Sequence, residues 1–236
     1  VDAHVHYPQL PVTASFGTTL LDWLNTYTFP EEMKYYDAKY ARDQAHKFVQ
    51  SILSRGVTSA AVFSTIHYQA FEALLQKCKD FGVNLVSGVT AMDQGAPEKL
   101  MVHLEEFKEI NARAIEYSQQ FSRVQYAITP RFVLSCSGKL LDYCGQLIEA
   151  DKSLLMQTHI NETDDEVKAT LALFPNAKDY LDIYDSFGLL CNRSIFAHGI
   201  HSTKNEIKRW AESEASVIHC PTSNTFLGSG LFEGLK

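Results

Sequence analysis

A chain of 236 residues with 45% hydrophobic and 11% aromatic content can bury one sizeable core, which excludes a disordered segment and points to one globular domain. A formal net charge of −7, with no local run of Lys and Arg, repels a phosphate backbone and argues against a nucleic-acid partner. The five cysteines are odd in number and form no C-x-x-C pair, and no apolar stretch approaches the roughly 20 residues of a membrane span. A reducing, cytoplasmic setting with no membrane partner is therefore expected.

In chain order, an apolar run over 1–5 reads as a first strand. The segment 8–36 then breaks the pattern with Pro, Gly and aromatic residues, and is expected to be a long loop with a short helix over 18–27. From there, apolar runs at 57–63, 85–89, 125–129, 154–158, 194–197 and 216–219 alternate with amphipathic stretches at 38–55, 68–81, 98–121, 138–151, 164–174 and 204–213. Gly56 and Gly82 sit where helices are expected to end. This βα rhythm predicts an α/β fold with a parallel sheet, and seven strands approach the (β/α)8 TIM-type barrel of roughly 250 residues, about one strand short. A doubly wound sheet is the rival architecture, but the Gly cluster at 228–234 has Glu233 where G-x-G-x-x-G needs Gly.

His4 and His6 are one residue apart in the first strand, so a period of 2 puts both imidazoles on one side, as a zinc pair or as surface histidines on an edge. His159, His198 and His219 follow at the C-terminal ends of three later strands, the face from which barrel enzymes draw their active-site groups. Glu162, three residues past His159, is placed to relay protons to a metal-activated water; the alternative is a helix N-terminal acid beside Asp164 and Asp165. H-x-E with P-C-x-x-C is absent, which sets aside the cytidine-type zinc deaminases, and H-E-x-x-H is absent, which sets aside the zincins.

HVH at His4–His6, THINE at Thr158–Glu162, AHG at Ala197–Gly199 and HCPTSN at His219–Asn224 resemble the amidohydrolase superfamily in order and spacing. The sharper resemblance is to its guanine deaminase branch. It rests on Pro8 and Gln9 after HVH, on Leu21-Asp-Trp23-Leu followed by Tyr27-Thr-Phe-Pro30-Glu31, and on TPRFVLSC at Thr129–Cys136. The resemblance implies one zinc per chain on His4, His6 and His159, with His198 facing the attacking water rather than serving as a fourth ligand. Glu162 is implied as the proton carrier, with Gln9 and Arg131 holding the base and Phe132 stacking on or lining it. His219 and Trp23 are expected behind the site, with no distinct chemical task.

The same resemblance implies a small-molecule purine base as partner, a homodimer, and a chain 1–236 that is part of a catalytic barrel. The N- and C-terminal β-sandwich segments, the last strand and the Asp that completes the metal site are then expected outside it, and the piece alone is expected to be inactive. Histidine and carboxylate donors suit iron as well as zinc. A related aminohydrolase acting on cytosine, a triazine or an adenosine derivative remains an alternative, as does a non-catalytic scaffold.

Overall fold

The computed structural model describes residues 1–15 and 19–232. Strands covered by helices on their outer face carry apolar side chains almost continuously, and β2 (Ser59–Phe63) is buried at four of its five positions. It lies between β1 (Asp2–His6) and β3 (Asn84–Gly88), and all three run parallel. After Val89 the third strand resumes as β4 (Thr90–Ala91), which pairs with β5 (Val124–Pro130). The order continues through β6 (Leu155–Ile160), β7 (Ser194–His198) and β8 (Ser216–Ile218).

The sheet curls into a barrel of the (β/α)8 type rather than lying open. Gln157 on β6 donates to the Val62 carbonyl on β2 and to Thr129 Oγ1 on β5, at 3.2 and 3.1 Å, which spans the interior. His4 on β1 and His198 on β7 bring their ring centroids within 5.2 Å although four strands separate them along the sheet.

Amphipathic helices wrap the outside: α3 (Ala38–Ser54), α4 (Tyr68–Phe81), α5 (Leu104–Ser118), α6 (Gly138–Ala150), α7 (Asp164–Leu173) and α9 (Lys204–Ser213). Their apolar faces enter one continuous core with Phe48, Phe71, Leu74, Phe107, Leu141 and Trp210 buried. Gly82 ends α4 with φ +72°, a conformation that costs a side chain with Cβ steric energy.

The structure departs from the sequence expectation in four places. The expected short helix at 18–27 begins at a residue outside those described. From Leu20 the chain is helical as far as Tyr36, through α1 (Leu20–Trp23), a π-helical turn at Leu24–Thr28, α2 (Phe29–Glu32) and a 3-10 turn at Met33–Tyr36. The wide turn comes just before Pro30, whose missing N–H rules out an unbroken α-helical ladder. The helix expected over 98–121 is a 3-10 turn at Glu98–Leu100 and then α5, because the intervening Met101–His103 backbone is extended or capping. Two helices escaped the periodicity, α8 (Tyr180–Ser186) and α10 (Pro221–Phe226); each is under two full turns, too short to establish a repeat.

The turn that ends α8 packs tightly against α6 at Gly145, where a Cβ would lie 1.8 Å from the Phe187 carbonyl oxygen. Helix propensity favours Ala over Gly by about 1 kcal/mol, but a backbone clash of this kind costs about 1–3 kcal/mol or more. Gly145→Ala is therefore expected to lower stability by about 1–2 kcal/mol, read as a lower urea midpoint.

Candidate active site

β1 and β6 deliver three imidazoles to one point. Period 2 holds His4 and His6 on the same side of β1, and His159 at the end of β6 approaches each, with ring centroids 4.8 and 4.9 Å apart. Phe63 at the end of β2 stacks on His6 at 4.6 Å and so fixes its plane. One nitrogen from each ring lies within 4.8 Å of the others, and His6 Nε2 and His159 Nε2 are 2.9 Å apart.

These residues fit a metal ion. A tetrahedral ion with nitrogen at about 2.0–2.1 Å needs nitrogens about 3.3 Å from one another, and a group whose nitrogens all lie within 4.8 Å, two of them 2.9 Å apart, is compact enough to converge on one ion. His159 donates from Nδ1 to the Arg131 carbonyl at 2.6 Å, which leaves the Nε2 lone pair free for a ligand. Burial, followed by the mutual repulsion of neighbouring cations, pushes His6 well below the usual histidine range, and burial does the same for His4 and His159. All three are neutral donors.

His198 and Glu162 stand beside this group. His198 sits at φ +76° and Asn161 at φ +52°, both in the left-handed region that non-glycine residues seldom occupy. Such strain persists where surrounding contacts over-determine it, and here they do. His198 Nδ1 is 2.8 Å from Asn224 Oδ1, Gly199 N donates to the Ile160 carbonyl, and Asn161 Nδ2 donates to Glu206 Oε1 at 2.9 Å. Since Asn224 Oδ1 can only accept, Nδ1 of His198 carries the proton and Nε2 is left as its other functional nitrogen.

Glu162 is 4% exposed, and its Oε1 lies 3.5 Å from His198 Nδ1. Burial pushes its carboxyl up to about 8, against an opposing pull from Arg131. A carboxyl that exchanges its proton near neutral pH suits general acid–base work. Its backbone N–H donates at 2.9 Å to Oε2 of Glu166, the third helical residue of a capping box that begins at Thr163. The capping-box acid is thus Glu166, and Asp164 and Asp165 share its first helical turn.

Arg131 is almost wholly buried just past the end of β5, with Nη1 2.7 Å from Glu32 Oε2 on α2 and its guanidinium 5.3 Å from the Phe29 ring. Phe132 is 5% exposed and, with Leu21, Leu24, Asn25 and Phe29, lines a pocket of about 270 Å³. Gln9 is half-buried on the 3-10 turn Tyr7–Val12, three residues beyond His6.

Trp23 and His219, the two residues expected behind the site, make contacts outside the histidine group. Trp23 donates from Nε1 to the Ser15 carbonyl and hydroxyl at 3.1 and 2.9 Å and pins the loop after β1. His219 is exposed and stacks on Phe232 at 5.2 Å. Its neighbour Cys220 turns inward instead, placing Sγ within 4.8 Å of ring nitrogens of His4 and His198. Burial pushes this thiol up to about 12, so the three neutral imidazoles are the better donor set.

Glu32, Asn224 and Glu166 were not singled out from sequence as site residues. Glu166 was legible as the last residue of T-D-D-E, a capping-box pattern, and Asn224 as the last residue of HCPTSN. Nothing local marks Glu32, whose partner is 99 residues away.

The Amidohydrolase family model matches residues 1–233. The chain is 37% identical over 232 residues to the guanine deaminase of Escherichia coli, covering 98% of this chain and 53% of the relative, and 35% identical over 240 residues to human guanine deaminase, covering 100% and 53%. Among solved structures, E. coli guanine deaminase superposes with a TM-score of 0.95 at 37% identity, over 98% of this chain and 54% of that one. A Clostridium acetobutylicum guanine deaminase described as having guanine bound in its active site superposes with a TM-score of 0.94 at 34% identity, over 98% and 56%. The chain spans about half the length of the curated relatives it matches. With the histidine group, the buried Glu162 and the parallel barrel in place, the chain belongs to the amidohydrolase family.

Proposed function

We propose that the full-length protein hydrolyses guanine to xanthine and ammonia, with one zinc ion held by His4, His6 and His159. The observation that carries this reading is the convergence of a neutral three-histidine group, a buried carboxyl that titrates near 8 and a buried arginine at one end of the barrel. The similarity to guanine deaminases over nearly the whole chain supports the choice of substrate.

Bound at the three imidazoles, zinc supplies Lewis acidity and brings the pKa of a water down to about 7. Glu162 takes a proton from the attacking water and passes it to the ring nitrogen beside the amino-bearing carbon, then takes the remaining proton of the added hydroxyl and delivers it to the departing amine. Water adds to that carbon, the C–N bond breaks, and ammonia leaves as the carbonyl of xanthine forms. His198, its Nδ1 proton fixed by Asn224, presents Nε2 toward the attacking oxygen. Arg131 and Gln9 hydrogen-bond the carbonyl and ring edge of guanine, and Phe132 forms the wall of the base pocket. Negative charge develops on the ring as the tetrahedral centre forms, which is what a nearby guanidinium stabilises.

The last barrel strand, an Asp completing the metal site and the β-sandwich segments belong, on this reading, outside residues 1–236. The protein works as a cytoplasmic homodimer. Among the described residues no helix is long and apolar enough to cross a membrane.

The test is ammonia release from guanine, cytosine, a triazine and adenosine by the full-length protein with metal quantified. Guanine turnover with about one zinc per chain is the expected result, while zinc without guanine turnover sends the assignment to another of these substrates. His159→Ala is expected to lower zinc content well below one per chain and turnover with it, since a lost ligand costs affinity that second-shell changes alone reduce about 10–100-fold. A full zinc complement in that variant would remove His159 from the ligand set.

A further inference from the structure

The mechanism above leaves unused a pair of buried tyrosines on α8, a helix with no obvious part in the chemistry. Tyr180 and Tyr184 are one turn apart, 1% and 0% exposed, and their rings stack at 5.7 Å with planes 12° apart. Each hydroxyl reaches the back of the site. Tyr184 donates to the His159 carbonyl at 2.9 Å and shares a 2.7 Å hydrogen bond with Thr158 Oγ1. Tyr180 donates to Glu166 Oε1 at 2.9 Å and accepts from Val133 N at 3.3 Å.

The Tyr180 bonds join two segments of different origin. Val133 directly follows Arg131 and Phe132, the turn that would hold the base. Glu166, through its other oxygen Oε2, accepts the backbone N–H of Glu162 at 2.9 Å and that of Thr163 at 3.4 Å. The path therefore runs from Val133 N through the Tyr180 hydroxyl and the Glu166 carboxylate to Glu162 N. Every member is buried, so water does not substitute readily for a lost partner. The helix carrying this link is itself held from outside: Arg209 donates to the Asp179 cap at 3.0 Å, and Leu181 N donates at 3.2 Å to the Glu206 oxygen that also accepts from Asn161.

We infer that Tyr180 is a positioning residue whose hydroxyl, through Glu166, fixes the proton-carrying turn at Glu162 relative to the base-holding turn at Arg131–Val133. The inference rests on the proposed deaminase reading for its catalytic consequence, though not for its structural content. A small displacement between reacting groups costs rate steeply, so the effect belongs in kcat more than in zinc content or fold.

Tyr180→Phe keeps the ring, its stack on Tyr184 and its volume, and deletes only the hydroxyl. In the full-length protein it is expected to lower kcat for guanine about tenfold, the equivalent of one lost hydrogen bond of about 1.4 kcal/mol, with zinc content unchanged. Glu166→Gln is expected to do the same, and the double variant to be little worse than either, because both break one path. The second readout is amide hydrogen exchange: protection is expected to fall in 131–136 and in 160–166 together. An effect on kcat within twofold of wild type, additive losses, or exchange rising only around Val133 would overturn the inference. Failure of the deaminase reading shows separately, as wild-type protein that releases no ammonia from guanine; the exchange experiment needs no substrate and decides the link in that case too.

Discussion

Glu162→Gln in the full-length protein is expected to lower guanine turnover by about 10²–10⁴-fold, the range of a lost general acid–base group, with zinc content and KM little changed. The substitution is close to isosteric. The side chain stays buried, the backbone N–H still reaches Glu166 Oε2 at 2.9 Å, and none of the histidines in the metal group is touched. What disappears is a carboxyl that burial pushes up to about 8 and that therefore both gives and takes a proton around neutral pH. An amide does neither. Activity above a tenth of wild type would move the proton transfer to His198, a buried imidazole 3.5 Å from the Glu162 carboxyl. Loss of zinc would instead make Glu162 a ligand and not a shuttle.

Both the barrel and the metal group were open to reading from sequence because each depends on short-range pattern. Alternating apolar and amphipathic runs give strand and helix periods directly, and the expected strands match the observed barrel strands to within one or two residues at most ends. Once those strands are parallel and consecutive, His159 and His198 must emerge at the same end as one another, and the HVH pair needs only period 2.

What escaped depends on distance in the chain or on brevity. Glu32 meets Arg131 only because the helical segment after β1 folds over the end of β5, and no local pattern encodes that approach. α8 is seven residues long, and its contribution lies in two hydroxyls pointing inward rather than in an apolar stripe. His219 differs from the other strand-end histidines in where the backbone aims it. It stands at the end of a strand like His159 and His198, yet β8 is a three-residue strand at the margin of the described sheet, and the backbone at its end aims Cys220 inward and His219 out.

The Arg131–Glu32 pair separates a structural role from a substrate-binding one. Its members are 3% and 0% exposed, and Glu32 Oε1 has no hydrogen-bond partner, so the carboxylate's desolvation is offset chiefly through a single 2.7 Å contact. Truncating one member of a buried ion pair costs about 3–5 kcal/mol because the other charge is stranded, whereas replacing both with apolar residues of similar volume is often neutral. Glu32→Leu alone is therefore expected to destabilise the protein by about 3 kcal/mol, and Arg131→Met alone by a comparable amount. The double variant should recover most of that stability, measured by urea unfolding. If Arg131 holds the base, recovery of fold will not bring recovery of function: guanine kcat/KM in the double variant should stay at least about 100-fold below wild type, the scale of losing a charged hydrogen bond of about 3 kcal/mol. A double variant that regains both stability and turnover would reduce Arg131 to a structural ion pair and leave recognition of the base to Gln9 and Phe132.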